Sequence, residues 1–181
     1  ANGRAVRDGG GIKPDVEVLP DSLPNLAFYI IGSGVDSTEV LLNWEIEYMK
    51  RHATIAPAKD FMITDEDFES FKAAMLKSGF KYDRQSEKFM KNLVEVAKLE
   101  GYYDDAKPEF EALEKKLQHN LAKELDHHKE TIKRLITADL VAIYHYQRGT
   151  IENSLQFDKQ WKAAVELLQN KEKYNKLLQP K

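Results

Sequence analysis

The chain of 181 residues contains no cysteine. This absence excludes thiol catalysis, disulfide bonds and cysteine metal sites together. An excess of charge of one sign is also missing, since 27 lysines and arginines balance 30 aspartates and glutamates. Nucleic-acid binding requires a basic patch or stripe, so the composition gives no reason to expect nucleic acid as a partner.

Long hydrophobic runs are missing as well. The longest, residues 26–31, is far shorter than the roughly eighteen apolar residues of a membrane span. It is also too short for the core of a signal peptide and has no basic flank. The apolar content of 42% is nevertheless sufficient for the core of one domain.

A recognisable nucleophile is the last missing feature. No serine lies in a Gly-x-Ser-x-Gly elbow, and Ser33, between Gly32 and Gly34, is interpreted as part of a linker after a helix. We therefore expect no catalytic residue in this chain. The serines are Ser22, Ser33, Ser37, Ser70, Ser78, Ser86 and Ser154.

Residues 3–18 have a pattern unlike the rest of the chain. A short β-like run reaches three glycines at 9–11, and alternating apolar residues follow across Pro14. The pattern predicts a strand, a glycine turn and an extended edge segment, which need a sheet to join. A phosphate-binding loop is excluded because Pro14 prevents a helix from following the glycines at once.

After Val18 the pattern becomes helical, with a hinge at residues 19–22 and a loop at 53–63. Asp36-x-x-Glu39 and Thr64-x-x-Asp67 are typical helix starts, and Gly101 is a typical helix end. We predict a mainly α, multi-helix bundle with one long helix and a short extended, β-like N-terminal arm. The predicted helices cover residues 23–31, 36–52, 64–79, 83–101, 105–155 and 158 onward, with one more short turn of helix within 171–181.

Apolar stripes support these helices. The longest predicts one helix from about residue 105 to 155, bent near residues 126–129 and continuing in phase across Gly149. Its members are Phe110, Leu113, Leu117, Leu121, Leu125, His128, Ile132, Ile136, Leu140, Ile143, Gln147, Ile151 and Leu155. Shorter stripes are Val40, Leu41, Trp44 and Tyr48; Phe68, Phe71, Met75 and Leu76; Phe89, Leu93, Val96, Ala97 and Leu99; and Trp161, Ala164, Val165 and Leu168.

Two groups of residues could suggest a binding site. Glu124-x-x-His127, with His128 beside it, has the spacing of a di-metal bundle, but a second Glu-x-x-His is absent, so we expect packing roles and no metal or cofactor. The aromatic residues could form a ligand-stacking face, although sealing the end of a bundle is the favoured interpretation. They are Tyr102, Tyr103, Tyr144, Tyr146 and Trp161.

The N-terminal pattern resembles a known family. Gly-Arg-x-Val, a glycine-rich turn and Gly-Ile-x-Pro-Asp-Val-x-Val are similar to the closing segment of the catalytic domain in carboxy-terminal processing (tail-specific) serine peptidases. Residues 100–117, 125–130 and 147–161 resemble the helical C-terminal extension of Bacteroidetes-type members. The matching N-terminal residues are Gly3, Arg4, Val6, Gly11, Ile12, Pro14, Asp15, Val16 and Val18.

The resemblance implies that residues 1–22 end the catalytic domain and residues 23–181 form a C-terminal helical domain. The family's Ser–Lys dyad is then expected before Ala1, and the helical domain would contribute scaffold, substrate access or oligomer contacts. The implied partners are the upstream catalytic domain, protein substrates and further copies of the chain, in the periplasm or cell envelope. The alternatives are a stand-alone helical protein-interaction module, which would fold the arm onto its own helices, and a metal-binding bundle.

Overall fold

The computed structural model describes residues 9, 14–32, 38–117 and 120–179. Within these ranges the chain forms nine helices and no strand, which confirms the mainly α, multi-helix prediction. Most of the predicted arm, residues 1–8 and 10–13, lies outside the described residues, and residues 14–24 contain no helix. The helices are α1 (Asn25–Ile31), α2 (Thr38–Arg51), α3 (Asp65–Lys77), α4 (Gln85–Glu100), α5 (Lys107–Lys116), α6 (Leu121–His127), α7 (Lys129–Ser154), α8 (Lys159–Gln169) and α9 (Lys171–Leu177).

Local side chains set several of the helix ends. Thr64 and Asp67 form a reciprocal capping box at the start of α3, and the Asp158 carboxylate accepts a hydrogen bond from the Trp161 amide at the start of α8. Gly101 ends α4 with φ of 81°, a left-handed conformation that suits glycine. These three predictions are confirmed. The Asp36 start cannot be compared, since that residue lies outside the described ranges.

The predicted long helix is present as α7 (Lys129–Ser154), but its predicted extent from residue 105 to 155 is wrong. The segment forms three helices, because the Asn120 side chain accepts a hydrogen bond from the Lys123 amide and begins α6 afresh. A second interruption at His128, which has non-helical backbone angles, confirms the bend expected near residues 126–129. Helix α5 buries no residue, so packing does not hold it on the axis of the helices that follow.

The apolar stripe also loses its phase inside α7. Tyr146 has φ of 57° and ψ of −168°, a non-helical conformation that rotates the following residues. As a result Gly149 and Asn153 are buried, whereas Ile151 is 57% exposed. The expectation that the phase continues across Gly149 is therefore wrong, and the slip occurs three residues before it.

The chain divides into two compact units. The central unit is Leu23–Ile55 and Met62–Leu140, and the terminal unit is Ala1–Ser22, Ala56–Phe61 and Val141–Lys181. In the central unit α1 packs on α2, α2 on α3 and α3 on α6. Its fully buried side chains are those of Phe68, Phe71, Leu26, Ile30, Ile63, Met75, Leu125, Ile132, Ile136, Leu140 and Thr137.

Most of the predicted stripe of α4 is exposed, and only Ala97 of its members is buried. Met90 and Ala97 are the buried residues of this helix, while Phe89 is 68% exposed and Leu93 and Val96 are about half exposed. The face of α4 that packs therefore contains Met90 and Ala97, whereas most of the predicted stripe lies on the neighbouring, exposed face. We call the exposed set Phe89, Leu93 and Val96 the α4 face.

In the terminal unit α7 holds the loop at residues 56–61. The buried Asn153 amide donates to the carbonyl oxygens of Ala58 at 2.7 Å and Phe61 at 2.9 Å. A Cβ at Gly149 would lie 3.3 Å from the Ala58 Cβ and would collide with the Cβ of His145. Glycine at this position therefore avoids the side chain of His145 on the same helix and leaves room for Ala58 of the loop. In the described part of the chain, no helix is both long and apolar enough to cross a bilayer.

Candidate functional site

The serine hydroxyls that have hydrogen bonds take part in local structure. Ser78 and Lys81 have the Ser-x-x-Lys spacing of some serine hydrolases, which makes them a pair worth testing. However, the Ser78 hydroxyl donates to the Met75 carbonyl at 2.7 Å and accepts from the Phe80 amide at 3.2 Å, so it caps the end of α3. Ser70 accepts a hydrogen bond from the Trp44 indole at 3.2 Å. Ser33 and Ser37 lie outside the described residues.

Glu124 binds other side chains rather than forming a cluster with the histidines. Its carboxylate accepts a hydrogen bond from the Tyr82 hydroxyl at 2.6 Å and lies 3.4 Å from the Arg84 guanidinium. Burial and this hydrogen bond raise the pKa of Tyr82 above its usual value. The rings of His127 and His128 meet edge to face at 4.7 Å, and burial lowers the pKa of His128. Among the described residues no three His, Asp or Glu side chains are arranged to hold a metal ion.

The five aromatic residues are divided between the two units. Tyr102 and Tyr103 belong to the central unit, where Tyr103 packs against Phe110 at 5.5 Å and under the Lys98 ammonium at 4.8 Å. Tyr144, Tyr146 and Trp161 belong to the terminal unit, and Tyr146 and Trp161 are exposed by 76% and 48%. Tyr103 thus seals the end of α4 against α5, while Tyr146 and Trp161 remain open to solvent.

A buried carboxyl group was missed by the sequence analysis. Glu45 on α2 is 5% exposed, and its Oε1 atom lacks a hydrogen-bond partner among the described residues. Burial, and then the charge of Asp139 on α7, raise the pKa of Glu45 to about 7. Burial also raises the pKa of Asp139. The signal was available in the sequence, because Glu45 is in helical phase with the buried residues Leu41 and Tyr48.

The segment before α1 contacts the first turn of α8. The Lys159 ammonium forms an ion pair with Asp21, and the Gln160 amide reaches the Val18 carbonyl at 3.5 Å. These contacts are polar, and the apolar side chains of the segment stay accessible, with Val16 exposed by 42% and Leu19 by 81%. We call residues 14–22 the described arm. Its attachment lies at the start of α8, a helix whose apolar stripe is largely exposed.

That stripe consists of Trp161, Ala164, Val165 and Leu168, which we call the α8 face. These positions share one side of the helix, as predicted. None of them is buried, and Leu168 is 62% exposed. The α8 face, the α4 face and the buried Glu45 are three features of the described chain that helix capping and core packing do not explain.

These features define a class of protein: a multi-helix domain with exposed apolar faces, whose described polar side chains mainly cap helices and connect them. The family described as "Probable PDZ-protease, C-terminal helical domain" matches residues 31–168. The chain therefore belongs to that family, and the expectation that it is the C-terminal helical region of a protease is confirmed. No curated protein and no solved structure matches the chain.

Proposed function

We propose that the chain is the C-terminal accessory domain of a serine endopeptidase that cleaves proteins near their C-termini. The observation that supports this proposal is the order of two segments along the chain. Residues 3–18 resemble the end of a tail-specific catalytic domain, and the family match to a helical protease domain begins shortly afterwards, at residue 31. This order is expected where a catalytic domain passes directly into its helical extension.

The proposed parent reaction is peptide-bond hydrolysis with a serine nucleophile and a lysine base. The neutral lysine amine takes the proton of the serine hydroxyl as its oxygen attacks the peptide carbonyl. The proton passes to the departing amine, and water then hydrolyses the acyl-enzyme to release the new C-terminus. Both groups are proposed to lie before Ala1, so no residue of this chain receives either role.

Within this enzyme the helical domain would act as a scaffold that shapes the access of substrates. The packed core of the central unit supports such a role, because it gives the domain a defined surface. The proposed location is the periplasm or the cell envelope, which follows from the family resemblance.

The coding sequence upstream of Ala1 provides the first test. We expect it to encode a serine in a glycine-containing turn, followed by a lysine shortly before residue 3. An unrelated domain at that position would contradict the proposal.

Activity provides the second test. The intact enzyme should degrade an unstructured protein and should lose this activity when the upstream serine is replaced by alanine. Ser78→Ala is the matched control within this chain and should leave turnover unchanged, because its hydroxyl caps a helix. Activity that survives the upstream substitution but not Ser78→Ala would refute the proposed assignment.

A further inference from the structure

We propose that the α8 face is the surface on which the catalytic domain of the same protein docks. This inference rests on the proposed function and goes beyond it by naming the contact surface. It is argued from the exposure of the face, from the position of the described arm and from the charge around both.

The packing within the terminal unit leaves the α8 face largely uncovered. Helix α8, of 11 residues, contacts α9, and most helical stability in proteins comes from packing an apolar face. Yet no residue of α8 is buried, and Trp161 is 48% exposed. Aromatic residues with this exposure, beside aliphatic ones, are typical of the centre of a protein interface.

The described arm identifies the occupant. Val18 contacts Gln160, one residue before Trp161, and Asp21 pairs with Lys159. Residues 3–18 are the segment that resembles the end of the catalytic domain. The chain therefore leaves that domain within a residue or two of the α8 face, and each intervening residue spans at most about 3.5 Å. Such a short tether gives the catalytic domain a high effective concentration at this face.

Charge complementarity holds the arm in this place. Residues 159–179 contain five lysines and two glutamates, in a chain with a net charge of −3. The described arm contains three acidic residues, Asp15, Glu17 and Asp21, and no basic one. The opposite charges of the two segments favour their association and fix the side of the domain from which the chain arrives.

The experiment measures thiol accessibility in the full-length enzyme. Because this chain lacks cysteine, a single cysteine can be placed in the α8 face by Ala164→Cys, and on the opposite side of the same helix by Lys162→Cys. Leu93→Cys in the α4 face is the matched apolar control. Labelling by a maleimide is followed by peptide mass spectrometry, which separates these sites from any upstream cysteine.

We expect Ala164→Cys to react about tenfold more slowly than Lys162→Cys, because docking must open before the thiol is exposed. Adding Trp161→Glu and Leu168→Glu should remove this difference. Adding Glu166→Gln, on the polar side of α8, should leave the difference unchanged. Circular dichroism verifies that each variant keeps its helix content.

Two results would overturn the inference while leaving the proposed function intact. One is equal labelling at positions 164 and 162 in an enzyme that carries the upstream dyad and cleaves protein. The other is protection at position 93 instead of 164, which would assign docking to the α4 face. Absence of the dyad from the upstream sequence would instead refute the proposed function itself.

Discussion

Lowering the pH from about 8 to about 5.5 should strengthen the contribution of Glu45 to stability, because this carboxyl group is buried and its Oε1 atom has no hydrogen-bond partner in the described part of the chain. The pKa of Glu45 is raised from 4.5 to about 7 in the folded protein. Between these values the folded protein keeps the proton that the unfolded chain releases, so stability falls as the pH rises. Above about pH 7 Glu45 is ionised in both states, and the loss is complete.

The size of the effect follows from the pKa shift. One pKa unit corresponds to about 1.4 kcal/mol, so the shift of Glu45 amounts to about 3.5 kcal/mol in total, of which about 2 kcal/mol is lost between about pH 5.5 and 8.5. The raised pKa of Asp139 acts in the same direction. The lowered pKa of His128 acts in the opposite direction, since the unfolded histidine binds a proton more readily. Asp65 and Asp83, whose pKa values lysine partners lower, change stability only at more acidic pH.

The assay is urea unfolding of the wild type and of Glu45→Gln at several pH values between about 5.5 and 8.5. The glutamine variant removes the ionisation, so the free energy of unfolding of the wild type relative to Glu45→Gln should fall by about 2 kcal/mol across this range. Glu47→Gln, at an exposed position of the same helix, is the control and should follow the wild type. Parallel curves for the wild type and Glu45→Gln would show that Glu45 is ionised in the folded state and would refute the reasoning.

Three further substitutions test other parts of the structure, each by the free energy of unfolding in urea. Asn153→Ala should lower it by about 3 kcal/mol, because two buried carbonyl groups of the loop at 56–61 lose their hydrogen-bond donor. Ser154→Ala is the control at the neighbouring, exposed position and should have a much smaller effect. Equal effects of the two substitutions would contradict the role of Asn153. Thr64→Ala should cost about 1 kcal/mol by removing the capping box of α3, and no loss would show that the cap is dispensable. Tyr146→Gly should raise the free energy of unfolding by about 1 kcal/mol, since φ of 57° with ψ of −168° strains any residue except glycine; a gain of the same size from Tyr146→Ala would contradict this explanation.

The parts of the fold that the sequence predicted correctly are those set by neighbouring residues. The starts of α3 and α8 and the end of α4 each depend on one or two side chains within a turn of the helix end. The sequence alone was therefore enough to predict these helix ends from their capping residues, which are Thr64 with Asp67, Asp158 and Gly101. The family resemblance also depends on short local patterns, and the family match confirms its protease component.

The predicted extent of the long helix was wrong because an apolar stripe shows the period of the side chains but not whether the helical backbone is continuous. A sequence can keep an apolar period while the backbone restarts, as it does where the Asn120 side chain caps α6. The slip at Tyr146 has no local signal, since the burial of Gly149 and Asn153 arises from the loop at 56–61, more than ninety residues earlier in the chain. The division between residues 1–22 and 23–181 stays a prediction.

The period of an apolar stripe also does not predict what that face of the helix packs against. The residues of the α4 and α8 faces were all visible as stripes, yet both faces are exposed whereas the stripe of α3 is largely buried. Several polar side chains form hydrogen bonds within the domain and so contribute to its own structure. They are Thr64, Ser78, Glu124 and Asn153. These polar groups therefore serve the structure of the domain itself, and the exposed apolar faces are the surfaces that remain for contact with the proposed catalytic domain. Of the two, the α8 face is the one beside the described arm, which is why we propose it as the docking surface.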